Sequence, residues 1–339
     1  MSAQLTINKA IQQWIALFFI CLAPISAWAA PYAFITNQLS NTISVIDTDT
    51  QEIVKTIRDG NRPAGIAISD DGNYVFASNP DGPDISLVDG FTFKKEGHIP
   101  VGAGPVGIAT NADGSQIYVA DWYEHKIRII DTDSRSIIAS VSVGKSPAGL
   151  IVDNALNRLY IANRDDNTVT ALDLDDYLPI ATIPVGKAPF GLALSPDGSR
   201  LYSVNVQSSN VSVIDTQQLK KIHTFSVGEW PYCATTSLDG NTLYVTNQDD
   251  STISIIDTDS YDILDTIDVG DSPEGIDITP DGKHVYIVNW GDGSVSILDT
   301  QSNKIINTIQ AGVGSRSFGN FIPDTHKITA AKPDCHHAD

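Results

Sequence analysis

The sequence of 339 residues predicts an all-β fold that is built from seven copies of one unit. Two observations lead to this prediction. Several residue types recur every 42 positions without an insertion, and each copy contains four short runs rich in Ile and Val that are separated by turn residues. Short alternating runs of this kind are typical of strands, because helices need longer segments with a period of about 3.6 residues.

Four recurring positions define the unit. An aromatic residue lies in the second strand of each copy, an Asn or Asp ends that strand, an Asp ends the third strand, and a Gly follows the fourth. The aromatic residues are Phe34, Phe76, Tyr118, Tyr160, Tyr202, Tyr244 and Tyr286, and the residues that end the second strand are Asn37, Asn79, Asp121, Asn163, Asn205, Asn247 and Asn289. The last two positions hold Asp47, Asp89, Asp131, Asp173, Asp215, Asp257 and Asp299, and Gly60, Gly102, Gly144, Gly186, Gly228, Gly270 and Gly312.

A turn with an Asp-Gly pair joins the first and second strands in most copies, and one copy departs from it. Gly supplies the positive φ that such tight turns require. The pairs begin at Asp71, Asp113, Asp197, Asp239 and Asp281, whereas the copy between the second and third of these reads Asp153-Asn154-Ala155. That copy can still turn, but with less favourable residues.

A period in the low forties with four strands per copy indicates the blade of a β-propeller. Seven copies therefore predict a seven-bladed β-propeller of four-stranded antiparallel blades over residues 30–323. The chain begins at a second-strand position, 32–37, and ends with a first strand, 317–322. We expect these two segments to pair, so that the N-terminal strands and the C-terminal strand close the ring and leave no free edge.

The two ends of the chain lie outside the repeat. Residues 1–29 have the layout of a secretory signal peptide, with Lys9, an apolar run over 14–23 and the small-residue site Ala27-Trp28-Ala29. We therefore expect export to the periplasm or the extracellular space without membrane insertion. Residues 324–339 form a tail that we expect to be flexible. Its Cys335-His336-His337 run contains metal-ligand types, but four ligands on a rigid frame are not evident, so no metal site is predicted.

The chain is acidic, with a formal net charge of −20, which becomes −21 when the signal and its Lys9 are removed. Such a charge disfavours nucleic acid or an anionic membrane as a partner. Many of the acids are turn Asp residues, so the charge also has a structural interpretation. Of the three cysteines, Cys233 and Cys335 follow the signal. A disulfide between them is not expected, because the last strand ends on the face opposite Cys233.

The repeat resembles a known family of propellers. Residues 244–258 read YVTNQDDSTISIIDT, and 34–48 and 160–174 are close variants, FITNQLSNTISVIDT and YIANRDDNTVTALDL. This run resembles the motif of the YVTN family of β-propeller repeat proteins, and the resemblance extends over 31–323. It implies a secreted, periplasmic or surface ring with seven blades. It leaves the activity open, because similar propellers include adhesive, surface-layer, cofactor-associated and lactonase-like proteins.

Differences between the copies are concentrated on one face of the predicted ring. That face carries the loops that enter each first strand and the loops that join second to third strands. Three tryptophans lie there, and a rigid exposed ring is favoured at recognition surfaces, although each could instead cover a blade edge. The predicted ligand-binding residues are Arg62, Trp122, Tyr123, His125, Arg164, Trp230, Tyr232, Trp290 and Arg316.

Arg62 and Arg316 introduce adjacent blades of the predicted ring. Two guanidinium groups near the channel mouth could clamp a carboxylate or a phosphate. The structural alternative is that each arginine pairs with a nearby acid, such as Asp81 or Glu274.

Further loop residues have both a chemical and a structural interpretation. Glu124 and His125 could act as acid and base, or they could simply be solvated. The acidic pairs 165–166 and 249–250 could bind Ca²⁺, but their spacing matches no known calcium loop. No Gly-rich phosphate loop, nucleophile elbow or HExxH motif occurs in the sequence. We therefore assign no catalytic residue.

The favoured interpretation is an exported binding scaffold that recognises a protein, a glycan or a small ligand through the aromatic loop face around the central channel. The alternative is a periplasmic enzyme or cofactor-associated propeller, for example a lactonase-like hydrolase, with its pocket at the same channel mouth. A surface or adhesion component is a third interpretation. The sequence favours no particular cofactor, and an enzyme is the less favoured class.

Overall fold

The computed structural model describes residues 32–323. These residues form seven antiparallel sheets, of which six have four strands and one has three. The predicted fold class, an all-β propeller with seven blades, is confirmed. The predicted signal over 1–29 and the predicted tail over 324–339, including Cys335, lie outside the described residues. No helix long and apolar enough to span a bilayer occurs among residues 32–323.

The strands follow the repeat without interruption, and we number the complete blades 1 to 6 in chain order. Blades 1 to 3 are β4–β7 (Ile66–Ile68, Tyr74–Ser78, Asp84–Asp89, Lys95–Pro100), β8–β11 (Pro105–Thr110, Gln116–Asp121, Lys126–Asp131, Ser136–Ser142) and β12–β15 (Pro147–Asp153, Arg158–Asn163, Thr168–Asp173, Pro179–Pro184). Blades 4 to 6 are β16–β19 (Pro189–Leu194, Arg200–Asn205, Asn210–Asp215, Lys220–Ser226), β20–β23 (Pro231–Thr236, Thr242–Asn247, Thr252–Asp257, Ile263–Asp268) and β24–β27 (Pro273–Ile278, His284–Asn289, Ser294–Asp299, Lys304–Gln310). Two 3₁₀ turns, Arg164–Asp166 and Val206–Ser208, lie between second and third strands.

Blade 7 joins the two ends of the described chain. Its sheet contains β1–β3 (Tyr32–Asn37, Thr42–Asp47, Glu52–Arg58). The segment 315–322 lies beside β1, where the backbone N–H of Arg316 donates to the carbonyl of Thr36 at 3.0 Å and that of Phe34 donates to the carbonyl of Phe321 at 2.9 Å. The ring therefore closes between the segments predicted from the sequence.

The closing segment differs from the prediction in being irregular. It makes one antiparallel bridge, between Ser315 and Asn37, and one parallel bridge, between Phe318 and Gly65 of blade 1. Because the segment bonds to β1 on one side and to the start of blade 1 on the other, it cannot keep one continuous ladder. Gly319, with φ of +114°, lies where it bends.

In six blades the recurring Asn donates to the side chains five and seven positions later. Five of the recurring glycines lie against such an Asn. In blade 3, the amide of Asn163 is fully buried and donates to the hydroxyls of Thr168 at 3.0 Å and Thr170 at 2.8 Å. Its Oδ1 accepts the backbone N–H of Gly144 at 3.1 Å. A Cβ on Gly144 would lie 2.6 Å from Cγ of Asn163, so only Gly allows this approach. The Asn therefore ties the blade together internally.

The one substitution in this column is compensated. In blade 2, Asp121 replaces the Asn, and Arg128 stands where the other blades have a small polar residue. The guanidinium of Arg128 lies 3.0 Å from the carboxylate of Asp121, which is 2% exposed. The charge pair therefore takes the place of the neutral hydrogen bonds.

Candidate functional site

The variable loops form one surface, which we call the entry-loop face: the loops entering each first strand together with the loops between second and third strands. Backbone hydrogen bonds join the two loops within a blade. The N–H of Trp122 donates to the carbonyl of Gly104 at 3.1 Å, and that of Trp290 donates to the carbonyl of Ser272 at 2.9 Å. The carbonyl of Trp230 accepts the N–H of the second loop of its own blade at 3.0 Å. Each tryptophan is therefore part of a paired, rigid loop.

Acidic side chains reinforce the same pairing. Oδ2 of Asp166 accepts the backbone N–H of Lys145 at 2.8 Å, and Oδ2 of Asp250 accepts that of Glu229 at 2.7 Å. The carboxylate of Asp165 accepts the hydroxyl of Ser146 at 2.6 Å, and this hydrogen bond lowers the pKa of Asp165. Three of the four acidic residues of the pairs 165–166 and 249–250 thus have a structural role in holding the loops. Among residues 32–323, no group of three or more His, Cys, Asp or Glu side chains is placed to hold a metal ion.

The predicted aromatic residues divide into exposed and packed members. Tyr123, Trp230 and Trp290 are 68%, 44% and 36% exposed. Trp122 instead packs against the core, and the guanidinium of Arg164 lies 5.9 Å from the centroid of its ring. The surface interpretation therefore fits the first three residues, whereas Trp122 covers a blade edge.

Trp230 is held in an unfavourable backbone conformation. Its φ is +49°, in the left-handed region. Every equivalent residue also has positive φ: Arg62, Gly104, Ser146, Ala188, Ser272 and Gly314. The conformation therefore belongs to the entry loop of each blade, and it is unstrained only for the two glycines. A bulky residue with positive φ is uncommon and persists where the surroundings impose it. The paired loops supply those surroundings, and they hold the indole ring exposed.

Arg316 makes an ion pair with a buried acid. Its Nε lies 2.7 Å from Oε2 of Glu274, and its Nη2 lies 3.1 Å from Oε1. Nη2 also donates to the hydroxyl of Tyr232 at 3.0 Å, and Nη1 donates to Gln38 at 3.2 Å. The side chain of Gln248 donates to Oε1 of Glu274 at 2.8 Å. Burial raises the pKa of Glu274, and the Arg316 guanidinium opposes that rise.

Aromatic rings extend this network across the axis of the ring. Phe190 of blade 4 lies 4.3 Å from Tyr232 of blade 5 and 5.3 Å from Phe318 of blade 7, measured between ring centroids. Blades 4 and 7 stand three places apart among seven, so the contact between the two phenylalanines spans the channel. We call Phe190, Tyr232, Glu274, Arg316 and Phe318 the axial plug. It closes the channel on the entry-loop face.

The two arginines predicted as a clamp each have a carboxylate partner. Arg62 lies 2.9 Å from Asp81, and both side chains are about half exposed. Arg316 belongs to the axial plug. Both arginines therefore make the contacts expected from the structural alternative, in which each pairs with a nearby acid.

His125 links two blades. It has φ of +57°, and its Nδ1 accepts the backbone N–H of Ser146 in the next entry loop at 3.1 Å. Asn167 occupies the equivalent position one blade later, and its Oδ1 accepts the N–H of Ala188 at 2.9 Å. The lone pair of Nδ1 is thus occupied by a structural hydrogen bond. Its neighbour Glu124 pairs with cationic side chains at 3.0 Å and 2.8 Å.

A cavity of about 480 Å³ lies on the other side of the axial plug. It is lined by the first strands of blades 2 to 6 and by the turns that follow them, including 153–155 and 195–198. The cavity therefore reaches the surface among the Asp-Gly turns, which we call the Asp-Gly face. The sequence placed a pocket at the mouth on the entry-loop face, and this cavity lies at the opposite end of the axis. Because the turns around this cavity are nearly uniform, the sequence did not indicate a site there. The one irregular turn, at Asp153, is the sequence feature that could have indicated it.

Comparisons with known proteins agree with this architecture. Residues 64–158 match the model of a family described as YNCE-like beta-propeller. A search of curated proteins found no match. Among solved structures, the chain is similar to hydrazine synthase of Kuenenia stuttgartiensis, with a TM-score of 0.69 and 21% identity over 74% of this chain and 87% of that chain. It is also similar to a functionally unknown protein of Desulfotomaculum acetoxidans DSM 771, with a TM-score of 0.75 and 15% identity over 85% and 99% of the two chains.

A third similar structure is the dihydro-heme d1 dehydrogenase NirN in complex with DHE, with a TM-score of 0.65 and 15% identity over 88% of this chain and 76% of that chain. At these identities the structural similarities establish the fold alone. The chain is thus a seven-bladed β-propeller with a closed axis on one face and a cavity on the other.

Proposed function

We propose that the chain is an exported binding scaffold that docks a protein or a glycan on its entry-loop face. Tyr123, Trp230 and Trp290 are the anchors. The observation that carries this proposal is the exposure of these three rings on paired loops. Aromatic anchors of this kind dominate binding energy at interfaces, because a rigid ring buries a large area at a small cost in conformational entropy.

The axial plug favours an extended partner over a small ligand at this face. A small ligand needs a concave site that surrounds most of its surface. The Arg316–Glu274 pair and the rings of Phe190 and Phe318 occupy the position where such a site would begin. A partner that lies across the rim needs no channel, so a protein or glycan surface fits this face better.

Export and partner class belong to the same proposal. The first 29 residues have the pattern of a cleaved signal, so the working location is the periplasm or the extracellular space. The net charge of −20 argues against nucleic acid as the partner, and the proposal involves no membrane insertion. Mass spectrometry of the exported chain should find Ala30 at its N-terminus.

The test is capture of envelope proteins and glycans by the immobilised protein. Replacing Tyr123, Trp230 and Trp290 with Ala should weaken capture at least tenfold, because interfacial aromatic residues often contribute about 2 kcal/mol or more each. The matched control is Phe91→Ala, which removes an aromatic ring that is 54% exposed in the turn after Asp89, away from the entry-loop face. Equal capture by both variants would contradict the proposal, provided that both have the circular dichroism spectrum of the unmodified protein.

The enzyme alternative has less support from the side chains. Similar folds include a hydrazine synthase and a dihydro-heme d1 dehydrogenase, but these names describe those proteins. A lactonase-like hydrolase would need a base on the entry-loop face, and Nδ1 of His125 already accepts a structural hydrogen bond. Only Nε2 of His125 would be left to act as that base. Turnover that is lost in His125→Asn, a variant that keeps the capping oxygen, would favour the enzyme instead.

A further inference from the structure

The cavity on the Asp-Gly face combines an apolar wall with carboxylates. Its lining includes Leu192, Leu194 and Ile278, and its ionisable side chains besides Cys233 are Asp153, Asp197 and Asp277. No Lys, Arg or His lines it. Its volume, about 480 Å³, lies within the range of small-molecule sites, roughly 300–1,000 Å³. The charge of the lining therefore favours a cation and disfavours an anion.

With Asp277 in the first strand of blade 6, Asp153 is one of two residues of the lining that break the repeat with a charge. Its Oδ1 accepts the backbone N–H groups of Ala155 at 3.1 Å and Leu156 at 3.0 Å, which fixes the turn. Its Oδ2 is buried and has no hydrogen-bond partner, and the residue is 2% exposed. A buried carboxylate oxygen without a partner is costly. The equivalent residues in the other Asp-Gly turns are neutral: Ser69, Asn111, Ser195, Ser237 and Thr279.

A gap lies beside this carboxylate. A Cβ placed on Gly198 of blade 4 would find only the two carboxylate oxygens of Asp153 within 4 Å, each at 3.9 Å. The turn glycines of the other blades face apolar side chains instead. Gly240 faces Pro196 at 3.3 Å, and Gly282 faces Leu238 at 3.0 Å. At this one turn, a space of about the size of a methyl or ammonium group adjoins a carboxylate.

We propose that the cavity binds an organic cation, with an ammonium group in the gap between Asp153 and Gly198 and an apolar body against Leu192, Leu194 and Ile278. An N–H donor on a cation would satisfy Oδ2 of Asp153, and a charge-assisted bond of about 2.7–2.9 Å fits beside it. A small shift of the turn would let the ammonium reach Oδ2 of Asp153, because Gly198 has no side chain that would lie between the ammonium and the carboxylate.

Nearby charged groups do not compete for this role. Arg158 is the cross-strand partner of Asp153, but its Nη1 donates to the carbonyl of Thr216 at 2.8 Å. Asp277 accepts the backbone N–H groups of Phe321 at 2.9 Å and Ile322 at 3.0 Å, so it holds the closing segment while adding negative charge to the wall. Asp153 is thus the carboxylate of the lining with an unpartnered buried oxygen.

The test compares three molecules of similar shape that differ in charge. Tryptamine carries an ammonium, tryptophol carries a neutral hydroxyl and indole-3-propionate carries a carboxylate, and isothermal titration calorimetry measures their binding to the purified chain. We expect saturable binding of tryptamine, at least tenfold weaker binding of tryptophol, and none of indole-3-propionate, since a bond to a charged group exceeds a neutral one. Equal binding of tryptamine and tryptophol, or no binding of tryptamine, would overturn the proposal.

The variant Asp153→Asn tests whether tryptamine binds at Asp153. Asn keeps the oxygen that caps Ala155 and Leu156 and replaces the charged Oδ2 with a neutral NH2 group, so the turn should persist. We expect tryptamine to bind at least tenfold more weakly to this variant while tryptophol is unchanged. Asp131→Asn is the matched control, because the Asp131 carboxylate also caps a turn but lies outside the cavity lining. If tryptamine binds Asp153→Asn as it binds the unmodified chain, the ammonium lies elsewhere and the assignment is wrong.

Discussion

The two ends of the propeller axis contrast in a way that sequence variability does not foretell. The entry-loop face varies from copy to copy, yet its centre is closed by the axial plug. The Asp-Gly face is nearly uniform, yet it contains the cavity. Variation on the first face changes which side chains stand on the rim, whereas two changes on the second, Asp153 and Asp277, alter the charge inside a concave site. A repeat protein can thus hold a candidate site where its repeat is most regular.

Disrupting the axial plug should have the largest effect on the difference between the two faces. Arg316→Met leaves the carboxylate of Glu274 buried without its counter-charge and removes the hydrogen bonds to Tyr232 and Gln38. We expect a loss of about 3–5 kcal/mol in the free energy of unfolding, as for other buried pairs that lose one partner. Urea denaturation followed by circular dichroism measures it.

The double variant Arg316→Met with Glu274→Leu is the control. Replacing both charges with apolar side chains removes the unpaired carboxylate, so much of the lost stability should return. A single variant that costs less than about 1 kcal/mol, or a double variant that is no more stable than the single one, would show that the charge pair does not hold the plug.

The turn carboxylates make the stability of the fold sensitive to acid. Hydrogen bonds from Ser115 lower the pKa of Asp113, and those from Ser195 and Ser199 lower the pKa of Asp197. Burial alone would raise the pKa of Asp281, but its bonds with Lys283 and Thr279 lower it to about 2. A carboxylate with a lowered folded pKa stabilises the fold above its unfolded value, near 3.9, and loses that effect as the pH falls toward the folded pKa.

We therefore expect the unfolding temperature to fall steadily between about pH 4 and pH 2 and to change little, through these carboxylates, between pH 5 and pH 7. Thermal unfolding followed by circular dichroism at each pH measures this. Asp281→Asn should make the acid slope shallower, because it removes one carboxylate that titrates in this range. An unchanged slope would mean that the turn hydrogen bonds of Asp281 contribute little.

The repeat made the fold predictable because the interactions that stabilise it lie within one blade or between neighbouring blades. The hydrogen bonds from the Asn side chain to the residues five and seven positions later, as from Asn163 to Thr168 and Thr170, recur at a fixed step and are evident in the sequence. The contact of Phe190 with Phe318 does not recur, because it joins blades that face each other across the axis. The capping role of His125 becomes evident only when it is aligned with Asn167, and its ring alone had suggested acid–base chemistry.

Replacing Trp230 should have the smallest effect on stability, and it tests whether stability and recognition at this residue can be separated. Because its φ is +49°, Gly should be more stable than Ala at this position by about 1 kcal/mol, since a residue with a Cβ is penalised in the left-handed region.

Tyr123 is the matched control, because it is an exposed aromatic residue of the same face whose φ is not positive. There the order should reverse, with Ala more stable than Gly. Denaturant midpoints of the four variants measure both differences. If Trp230→Gly is more stable than the unmodified chain and also captures less partner, the indole at this position serves recognition at a cost in stability. An order of Ala above Gly at Trp230 would contradict the strain itself.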